Sequence, residues 1–352
     1  MKRLTYISRL SESISASEVE RIGAISARNN QRTGITGLLI YFQGVFFQVI
    51  EGDDQHVDWL YDIIHHDSRH TDMLCLKTEH AIDDRLFPTW SMKTINLDTT
   101  NDALMRPIKT LLQTLVESHT IIERYTQPTV LNILNSGINP LTVMPQLVER
   151  IIIFGDIVSY SLISETLTLA HVMLLLNTYF EICSRVIMRW GGEINKFIGD
   201  SVMAYFPVDH ADQAIHACAD ILAELAHVRA TAGTDSPLQL LYTGFGMAHG
   251  TVIEGNMGSA VKMDYTIIGD AVNTAARLEG MTRELRYALV LSEAVKLQAQ
   301  QQWDFVQLGT HELAGKHAMI ELYSIDNPLV RDFEAKTLIH QLIQRFDSAP
   351  AS

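Results

Sequence analysis

The feature that most constrains this 352-residue chain is a pair of aspartates, each of which follows a glycine beside an apolar run. Asp156 follows the β-branched run Ile151-Ile-Ile-Phe-Gly, which predicts a buried strand. Asp200 lies in Asn195-Lys-Phe-Ile-Gly-Asp-Ser-Val, where Gly-Asp between two apolar runs predicts a hairpin turn. Two carboxylates fixed at strand ends can bind two divalent cations, which can hold and activate a nucleotide triphosphate. A lone turn aspartate is usually only solvated, so this interpretation depends on the residues downstream.

Those downstream residues form the run Asp264-Tyr-Thr-Ile-Ile-Gly-Asp-Ala-Val-Asn-Thr-Ala-Ala-Arg-Leu-Glu. With this run and the two aspartates, residues 149–326 resemble a class III nucleotide cyclase catalytic domain. The resemblance implies that Asp156 and Asp200 bind two Mg²⁺ or Mn²⁺ ions. It also implies purine recognition by Lys196 and Thr266, ribose and α-phosphate contacts by Asn273 and Arg277, and a triphosphate contact by Lys316.

The implied reaction is an in-line attack of the ribose 3′-hydroxyl on the α-phosphate, which needs positioning and electrostatic support rather than covalent catalysis. Arg277 can donate two hydrogen bonds to phosphate oxygens. Lys196 can donate to N1 of adenine, and the Thr266 hydroxyl can accept from the adenine amine. Guanine has a protonated N1, so Lys196 would face another donor there. We therefore expect ATP as the substrate, with a guanylyl cyclase as the alternative.

Two positions depart from the usual pattern of that family. Ala314 stands where many members have the first lysine of a Lys-Gly-Lys run, which bears on the assignment of Lys316. Gly155 precedes the first metal aspartate where a residue with a side chain is common, and this predicts a looser metal loop. In that family, the metal aspartates and the purine-reading residues of one site come from opposite halves of a dimer. Since this chain carries one set of each, the resemblance implies a homodimer with two equivalent sites.

The first third of the chain carries a second group of local signals. Alternating and periodic apolar residues predict a strand over residues 3–8 and a helix over residues 17–30. A hairpin is predicted over residues 34–52, with its turn at Gln43-Gly44. A second helix is predicted over residues 56–65, and two short strands over residues 74–77 and 91–95.

Residues 1–97 resemble a BLUF domain, a blue-light sensor that uses FAD. The resemblance is carried by Tyr6, Asn29-Asn30, Ile35-Thr-Gly, Phe46-Phe-Gln-Val-Ile-Glu-Gly, Asp67-Ser-Arg-His and Trp90-Ser-Met. In that family the tyrosine donates an electron and a proton, and the glutamine rearranges its hydrogen bonds after light absorption. The implied flavin-site residues are therefore Tyr6, Asn30, Gln48, Asp67, Arg69, Trp90 and Met92, with Trp90 and Met92 on a strand that carries the change outward.

Residues 98–145 are expected to connect the two domains. Apolar residues at three- and four-residue intervals from Leu104 to Ile122 predict a helix that could pair with a second copy as a coiled coil. The alternative is a helix that lies on its own sensor sheet, and the two arrangements are compatible if they use different faces. Pro128, Gly137, Pro140 and Pro145 predict a short connector rather than a long disordered tether, within a linker that we expect to be helical.

The expected fold is α+β, with two ferredoxin-like α/β-sandwich domains, a sensor at residues 1–97 and a cyclase at residues 146–326, followed by a tail at 327–352. A helix over residues 168–190 and a strand over residues 240–247 are predicted in the cyclase domain. The net charge of −14 argues against general nucleic-acid binding. Three scattered cysteines, and the lack of a long apolar stretch or a leader, predict a cytoplasmic protein without a membrane span. A light-sensing, nucleotide-binding regulator that has lost cyclase activity is a further alternative.

Overall fold

The computed structural model describes residues 1–10, 15–99, 105–136, 138–259, 261–312, 319–331 and 333–347. They divide into two compact units, Met1–Val143 and Met144–Ser352. Each unit contains one β-sheet with helices packed against it, which confirms the predicted α+β class.

The first unit is built on a five-stranded sheet in the order β4-β1-β3-β2-β5. Its first six elements follow the βαββαβ order of a ferredoxin-like fold. A core that includes Tyr6, Phe46 and Ile50 of the sheet packs against Val19 of the first helix and Val57 of the second. The elements are β1 (Lys2–Leu10), α1 (Ala16–Thr33), β2 (Thr36–Phe42), β3 (Val45–Gly52), α2 (Asp54–His65), β4 (His70–Glu79) and β5 (Lys93–Asn96).

Local chemistry fixes the ends of these elements. Ser15 caps α1 by accepting from the Glu18 backbone N–H at 3.3 Å, and Gly34 ends the helix with φ 69°. Gln43 and Gly44 both have positive φ, as a tight turn between β2 and β3 requires, so the predicted hairpin turn is confirmed. The strand predicted over residues 91–95 begins only at Lys93, so Trp90 and Met92 precede it and do not lie on a strand. The Trp90 carbonyl does accept from Gly37 N–H of β2, but the Ser91 carbonyl accepts from the Asn30 side chain, and the regular pairing with β2 starts only at Leu38 and Lys93.

Two more helices belong to the first unit, α3 (Met105–Tyr125) and α4 (Pro128–Asn135). On one side, α3 contacts the sensor hairpin, since Lys109 lies 5.6 Å from the Phe42 ring centroid and Gln113 Nε2 donates to Gln43 Oε1 at 3.0 Å. Leu111 is nevertheless 69% exposed, so apolar surface remains on another side of this helix. Within the predicted connector, α4 begins at Pro128, because proline at the first helical position favours the start of a helix.

The second unit contains an eight-stranded sheet. Seven strands follow the order β12-β13-β11-β9-β6-β8-β7, and β10 pairs with β9. Alternate residues of the central strand β6 face opposite cores: Ile151 and Ile153 pack with α6 and α7, whereas Ile152 packs with α8. The strands are β6 (Gln146–Ile157), β7 (Glu193–Ile198), β8 (Ser201–Pro207), β9 (Thr243–Gly258), β10 (Met263–Ile268), β11 (Leu289–Ser292), β12 (Phe305–Glu312) and β13 (Met319–Ile325). The helices are α5 (Tyr160–Thr166), α6 (Leu169–Arg189), α7 (Ala211–Thr231), α8 (Asp270–Leu285), α9 (Glu293–Gln298) and α10 (Ala335–Asp347).

Two sequence predictions in this unit have different outcomes. The helix over residues 168–190 is confirmed by α6, with Thr168 as its N-cap. The strand predicted over residues 240–247 begins only at Thr243, because Pro237–Leu240 form a 3-10 turn capped by Ser236. Across the described ranges, no helix combines the length and apolarity needed to cross a membrane.

Candidate functional site

A cavity in the first unit lies between α1, α2 and the sheet. Its polar lining includes Asn30, Gln48, Asp67 and Arg69, so the structure brings four of the implied flavin residues together. An apolar slot with a few directed polar groups suits a planar aromatic ligand. The apolar lining includes Ile22, Ile25, Leu39, Leu60, Ile63 and Ile64.

Tyr6 and Gln48 form a buried pair at this cavity. They are cross-strand partners in β1 and β3, and the Tyr6 hydroxyl donates to Gln48 Oε1 at 2.5 Å. Burial raises the pKa of Tyr6 well above its ordinary value, so the phenol stays protonated and remains a donor. Gln48 Nε2 faces Met92 Sδ at 3.9 Å. The glutamine amide is therefore held with its oxygen toward the tyrosine and its nitrogen toward the methionine.

The segment before β5 separates two residues that the resemblance grouped together. Met92 is buried beside Gln48, whereas Trp90 is 41% exposed and stacks on Phe87 with a centroid distance of 5.4 Å. The Asn30 side-chain nitrogen donates to the Ser91 carbonyl at 2.9 Å. Asn30 thus connects the cavity wall to the backbone between Trp90 and Met92.

Asp67 and Arg69 pair with each other at the edge of the cavity. Arg69 Nη2 donates to Asp67 Oδ2 at 2.5 Å, and hydrogen bonds from this arginine lower the pKa of Asp67 to about 2. His70 also lines the cavity, and its Nδ1 lies 2.8 Å from Ser8 Oγ. Burial lowers the pKa of His70, which favours the neutral ring. The sequence motif contained His70 without giving it a role, and only the fold places it at the cavity.

In the second unit, the two motif aspartates meet at neighbouring strands. Asp156 lies near the end of β6, and Asp200 lies in the turn between β7 and β8, where Gly199 has φ 65°. This confirms the predicted hairpin turn. Burial, and then the neighbouring Asp156 carboxylate, raise the pKa of Asp200 to about 7. Two carboxylates crowded in this way repel each other unless a proton or a cation lies between them.

The contacts of this carboxylate pair fit divalent cations. Asp156 Oδ1 accepts from Ser201 Oγ at 2.7 Å, and Asp156 Oδ2 lies 3.2 Å from Arg283 Nη2. Asp200 Oδ2 is buried and accepts no hydrogen bond from any described residue. Buried polar atoms normally have a partner, and a carboxylate oxygen is a ligand that Mg²⁺ and Mn²⁺ favour. The residues present therefore suit the metal ions that the resemblance implies.

Gly155 lies in a closely packed part of the strand before Asp156. A Cβ atom at this position would lie 2.4 Å from the Phe245 ring and 2.8 Å from the Tyr179 hydroxyl. Thr243 Oγ1 donates to the Asp156 carbonyl at 2.8 Å, which fixes the backbone from the other side. Glycine is needed here because the neighbouring side chains pack directly against the strand.

Sequence reasoning missed a second ion pair beside the aspartates. Arg283 Nη1 lies 3.0 Å from Glu279 Oε1, one helical turn earlier in α8. Burial raises the pKa of Glu279 to about 7, Arg283 opposes this rise, and Asp156 adds to it. The spacing of an acid and a base four residues apart could have indicated the pair, but not its contact with Asp156.

Lys196 and Thr266 each have a partner that the sequence did not reveal. Lys196 Nζ donates to Asp264 Oδ2 at 2.6 Å. Thr266 Oγ1 donates at 3.0 Å to Oδ1 of Asn195, which is 3% exposed. The ladder of β7 and β8 shifts register between Ile194 and Lys196, so Asn195 is the extra residue of a β-bulge. Bulges redirect side chains, and this one brings Asn195 to Thr266.

The remaining implied catalytic residues lie on or after α8. Asn273 and Arg277 are four residues apart on this helix, with Asn273 exposed and Arg277 partly buried. Lys316 and Ala314 lie outside the described residues. Arg277 and Arg283 are six positions apart on α8, which places their side chains roughly 120° apart around the helix axis.

Comparisons with known proteins match both units. Residues 1–93 match the BLUF family, described as sensors of blue-light using FAD, and residues 143–327 match the adenylate and guanylate cyclase catalytic domain. The solved structure of a bacterial light-regulated adenylyl cyclase aligns with a TM-score of 0.91 and 49% identity, covering 99% of this chain and 100% of that one.

Curated relatives of known sequence come from Euglena. Photoactivated adenylate cyclase subunit alpha of Euglena gracilis is 33% identical over 83% of this chain and 29% of its own length. Subunit beta of Euglena longa is 31% identical over 83% of this chain and 34% of its own length. The chain therefore spans about a third of the length of these curated relatives.

Proposed function

This chain belongs to the adenylate and guanylate cyclase catalytic-domain family and carries a BLUF domain, and we propose that it is a blue-light-activated adenylyl cyclase. It would convert ATP to 3′,5′-cyclic AMP and pyrophosphate. The observation that carries the proposal is the presence, in one chain, of the Tyr6–Gln48 pair at an apolar cavity and of the crowded Asp156–Asp200 pair. The whole-chain likeness to the bacterial light-regulated adenylyl cyclase supports this combination.

The sensor step would begin at Tyr6. When bound, FAD would supply blue-light absorption and an acceptor for an electron. Tyr6 is placed to release an electron and its proton, because its hydroxyl is buried, protonated and hydrogen-bonded to Gln48. A change in the Gln48 amide would exchange its oxygen and nitrogen positions and alter its contact with Met92. Asn30 would hold the flavin ring edge, and Asp67 and Arg69 would contact the ring and the phosphates.

The catalytic step would use the carboxylates at β6 and at the β7–β8 turn. Two Mg²⁺ or Mn²⁺ ions supply activation of the 3′-hydroxyl and neutralisation of the leaving pyrophosphate when bound. Asp156 and Asp200 would hold them, and the partnerless Asp200 oxygen supports this assignment. Asn273 would orient the ribose, Arg277 would stabilise charge at the α-phosphate, and Lys316 would contact the triphosphate.

The hydrogen bond of Thr266 supports ATP rather than GTP as the substrate. Since the Thr266 hydroxyl proton points to Asn195, the oxygen offers lone pairs to a ligand. A lone pair can accept from the 6-amine of adenine, whereas the 6-oxygen of guanine would need a donor. Lys196 would leave Asp264 to donate to N1 of adenine.

The geometry of α8 supports active sites shared across a homodimer. Arg283 contacts the metal aspartate Asp156, while Arg277 points roughly 120° away around the helix axis and Asn273 lies about 15 Å before Arg283 along that axis. The metal aspartates and the Asn273–Arg277 pair of one chain are therefore poorly placed to contact the same substrate. Exposed apolar side chains at the β7 end and on β9 and β10 would be covered by the second copy; they are Phe197, Ile198, Ile253, Met263 and Ile268.

The test is cyclic AMP production by the flavin-loaded protein with Mg-ATP, in darkness and under blue light. A large rise under light supports sensor, catalyst and coupling together. Parallel assays with Mg-GTP decide between adenylyl and guanylyl specificity. A normal flavin photocycle without product from either nucleotide would refute the proposal and favour a regulator without cyclase activity.

A further inference from the structure

Glu51 has a relative exposure of 0%, the lowest of the described carboxylates, and it lies outside both sites discussed above. It sits in β3, opposite Arg3 of β1 on one side and Thr36 of β2 on the other. A buried carboxylate is stable only when its charge is paired and its oxygens accept hydrogen bonds. Its partners therefore identify the parts of the fold that it holds in place.

Glu51 accepts hydrogen bonds from two side chains and two backbone groups. Arg3 Nε donates at 3.0 Å and Thr36 Oγ1 at 3.3 Å. The backbone N–H groups of Leu86 and Phe87 donate at 3.0 Å and 2.6 Å. Hydrogen bonds to a charged acceptor are stronger than those between neutral groups. The carboxylate thus fastens the backbone at residues 86–87 to the central strand.

Leu86 and Phe87 belong to residues 80–92, which we call the crossover segment. This irregular segment connects β4 to β5, at opposite edges of the sheet. Two side chains that bond to Glu51 also contact the crossover segment at further points. Arg3 Nη2 donates to the Asp84 carbonyl at 2.8 Å, and Thr36 Oγ1 accepts from Arg85 Nη1 at 3.2 Å. Glu51 is the acceptor on which this cluster is centred.

The end of the same segment reaches the flavin cavity. Gly37 N–H donates to the Trp90 carbonyl at 2.9 Å, and Met92 Sδ lies 3.9 Å from Gln48 Nε2. Gln48 and Glu51 are three residues apart in β3, so their side chains point to opposite faces of the sheet. β3 therefore contacts the crossover segment from both faces of the sheet, through Glu51 on one face and Gln48 on the other.

We propose that Glu51 is a positioning residue of the light sensor, which anchors the crossover segment so that a change at Gln48 moves Met92 and Trp90 in a defined way. Without this anchor, residues 80–92 would shift individually, and a change at Gln48 would not produce a defined movement of Met92 and Trp90. The proposal rests on the light-sensing function proposed above. Energetic coupling between two sites requires structural elements that switch between discrete arrangements. A crossover segment held both at residues 86–87 and near Met92 can switch in this way more readily than an unanchored loop.

Glu51→Gln tests this role with little change in shape. The amide keeps one acceptor oxygen but turns its NH₂ group toward two donors. These are Arg3 Nε and Leu86 N–H, which share one carboxylate oxygen, or Thr36 Oγ1 and Phe87 N–H, which share the other. The flavin should still bind and still show its light-induced red shift, because Tyr6 and Gln48 are unchanged. The ratio of lit to dark cyclase rates should fall by about fivefold, within the range that single substitutions produce in coupling.

Two control variants separate anchoring from general stability. Glu79→Gln removes an acid that lies 3.4 Å from Arg3 Nη1. No hydrogen bond from the backbone of the crossover segment to Glu79 appears among the described contacts, so its lit-to-dark ratio should be retained. Val57→Ala truncates a side chain that is 0% exposed in the core on α2. It should lower the unfolding temperature while retaining the lit-to-dark ratio.

The outcomes are distinct. Loss of light activation in Glu51→Gln, with a normal red shift and intact controls, supports the anchor. A wild-type ratio in the flavin-loaded variant overturns it. If Glu51→Gln does not bind flavin, Thr36→Val decides, since it removes one partner and keeps the charge pair: a reduced ratio supports the anchor and an unchanged one overturns it. Absence of light activation in the wild-type protein would instead refute the proposed function.

Discussion

The Thr266 hydroxyl donates to Asn195 Oδ1 at 3.0 Å, and this single hydrogen bond decides what Thr266 can offer a purine. Asn195 is the extra residue of a β-bulge and is almost fully buried, so the contact is held by the fold. With its proton committed, Thr266 is an acceptor.

Asn195→Ala should therefore weaken the preference for ATP over GTP. Without its acceptor, the Thr266 hydroxyl can rotate and donate to the 6-oxygen of guanine. We expect the ratio of kcat/KM for ATP to that for GTP to fall by about tenfold, which corresponds to one hydrogen bond of about 1.4 kcal/mol. Asn195→Asp is the matched control, because a carboxylate still accepts the hydroxyl proton. An unchanged ratio of kcat/KM values in Asn195→Ala would show that Asn195 does not fix the orientation of the Thr266 hydroxyl.

Tyr6→Phe should abolish the light-induced red shift of flavin absorbance. The substitution removes the hydroxyl that donates to Gln48 and leaves the aromatic packing in place. Loss of one hydrogen bond should cost about 1 kcal/mol of folding stability, so the protein should still bind flavin. Tyr41→Phe serves as control, since Tyr41 is a buried tyrosine that packs on Phe46. A red shift that persists in Tyr6→Phe would refute the role of Tyr6.

Mixing two inactive variants should restore activity if the sites are shared. Asp156→Ala removes a metal carboxylate, and Arg277→Ala removes a group that we place at the α-phosphate from the other chain. Each variant alone should lose activity by about 100-fold or more. Heterodimers contain one intact site and should recover up to half of the wild-type rate. Verified heterodimers without activity would contradict shared sites.

Gly155→Ala should destabilise the cyclase unit, because its methyl group would collide with the Phe245 ring. Overpacking of this kind costs about 1–3 kcal/mol, so thermal unfolding should shift to lower temperature. Gly280→Ala is the control: Gly280 is exposed in α8 with open space at its Cβ position, and alanine there should stabilise by up to about 1 kcal/mol. Equal unfolding temperatures for Gly155→Ala and the wild-type protein would show that the surrounding structure accommodates the added methyl group.

Local signals in the sequence were sufficient for the turns at Gln43-Gly44 and Gly199-Asp200, because two adjacent residues determine such turns. The strand predicted from residue 240 failed at its start, since Pro237 and the Ser236 cap favour a 3-10 turn over continued extension. The start of α4 was not predicted for a related reason: Pro128 stands at a first helical position, where proline favours a helix instead of interrupting it.

The fold-dependent parts of the sites could not be predicted in this way. Arg283 and Asp156 are 127 residues apart in the sequence, and Thr266 and Asn195 are 71 apart. No periodicity or spacing links such pairs, which meet only because β6, β7, β10 and α8 are packed together. The family motif supplied the residue types at the two sites, whereas their partners depend on tertiary packing.

The most direct test of the whole account compares cyclic AMP formation by the wild-type protein and Tyr6→Phe, in darkness and under blue light. The account predicts a large increase under light for the wild-type protein, and an equal dark rate with no increase for Tyr6→Phe. Equal light activation in both proteins would contradict the claim that the Tyr6–Gln48 pair controls the cyclase.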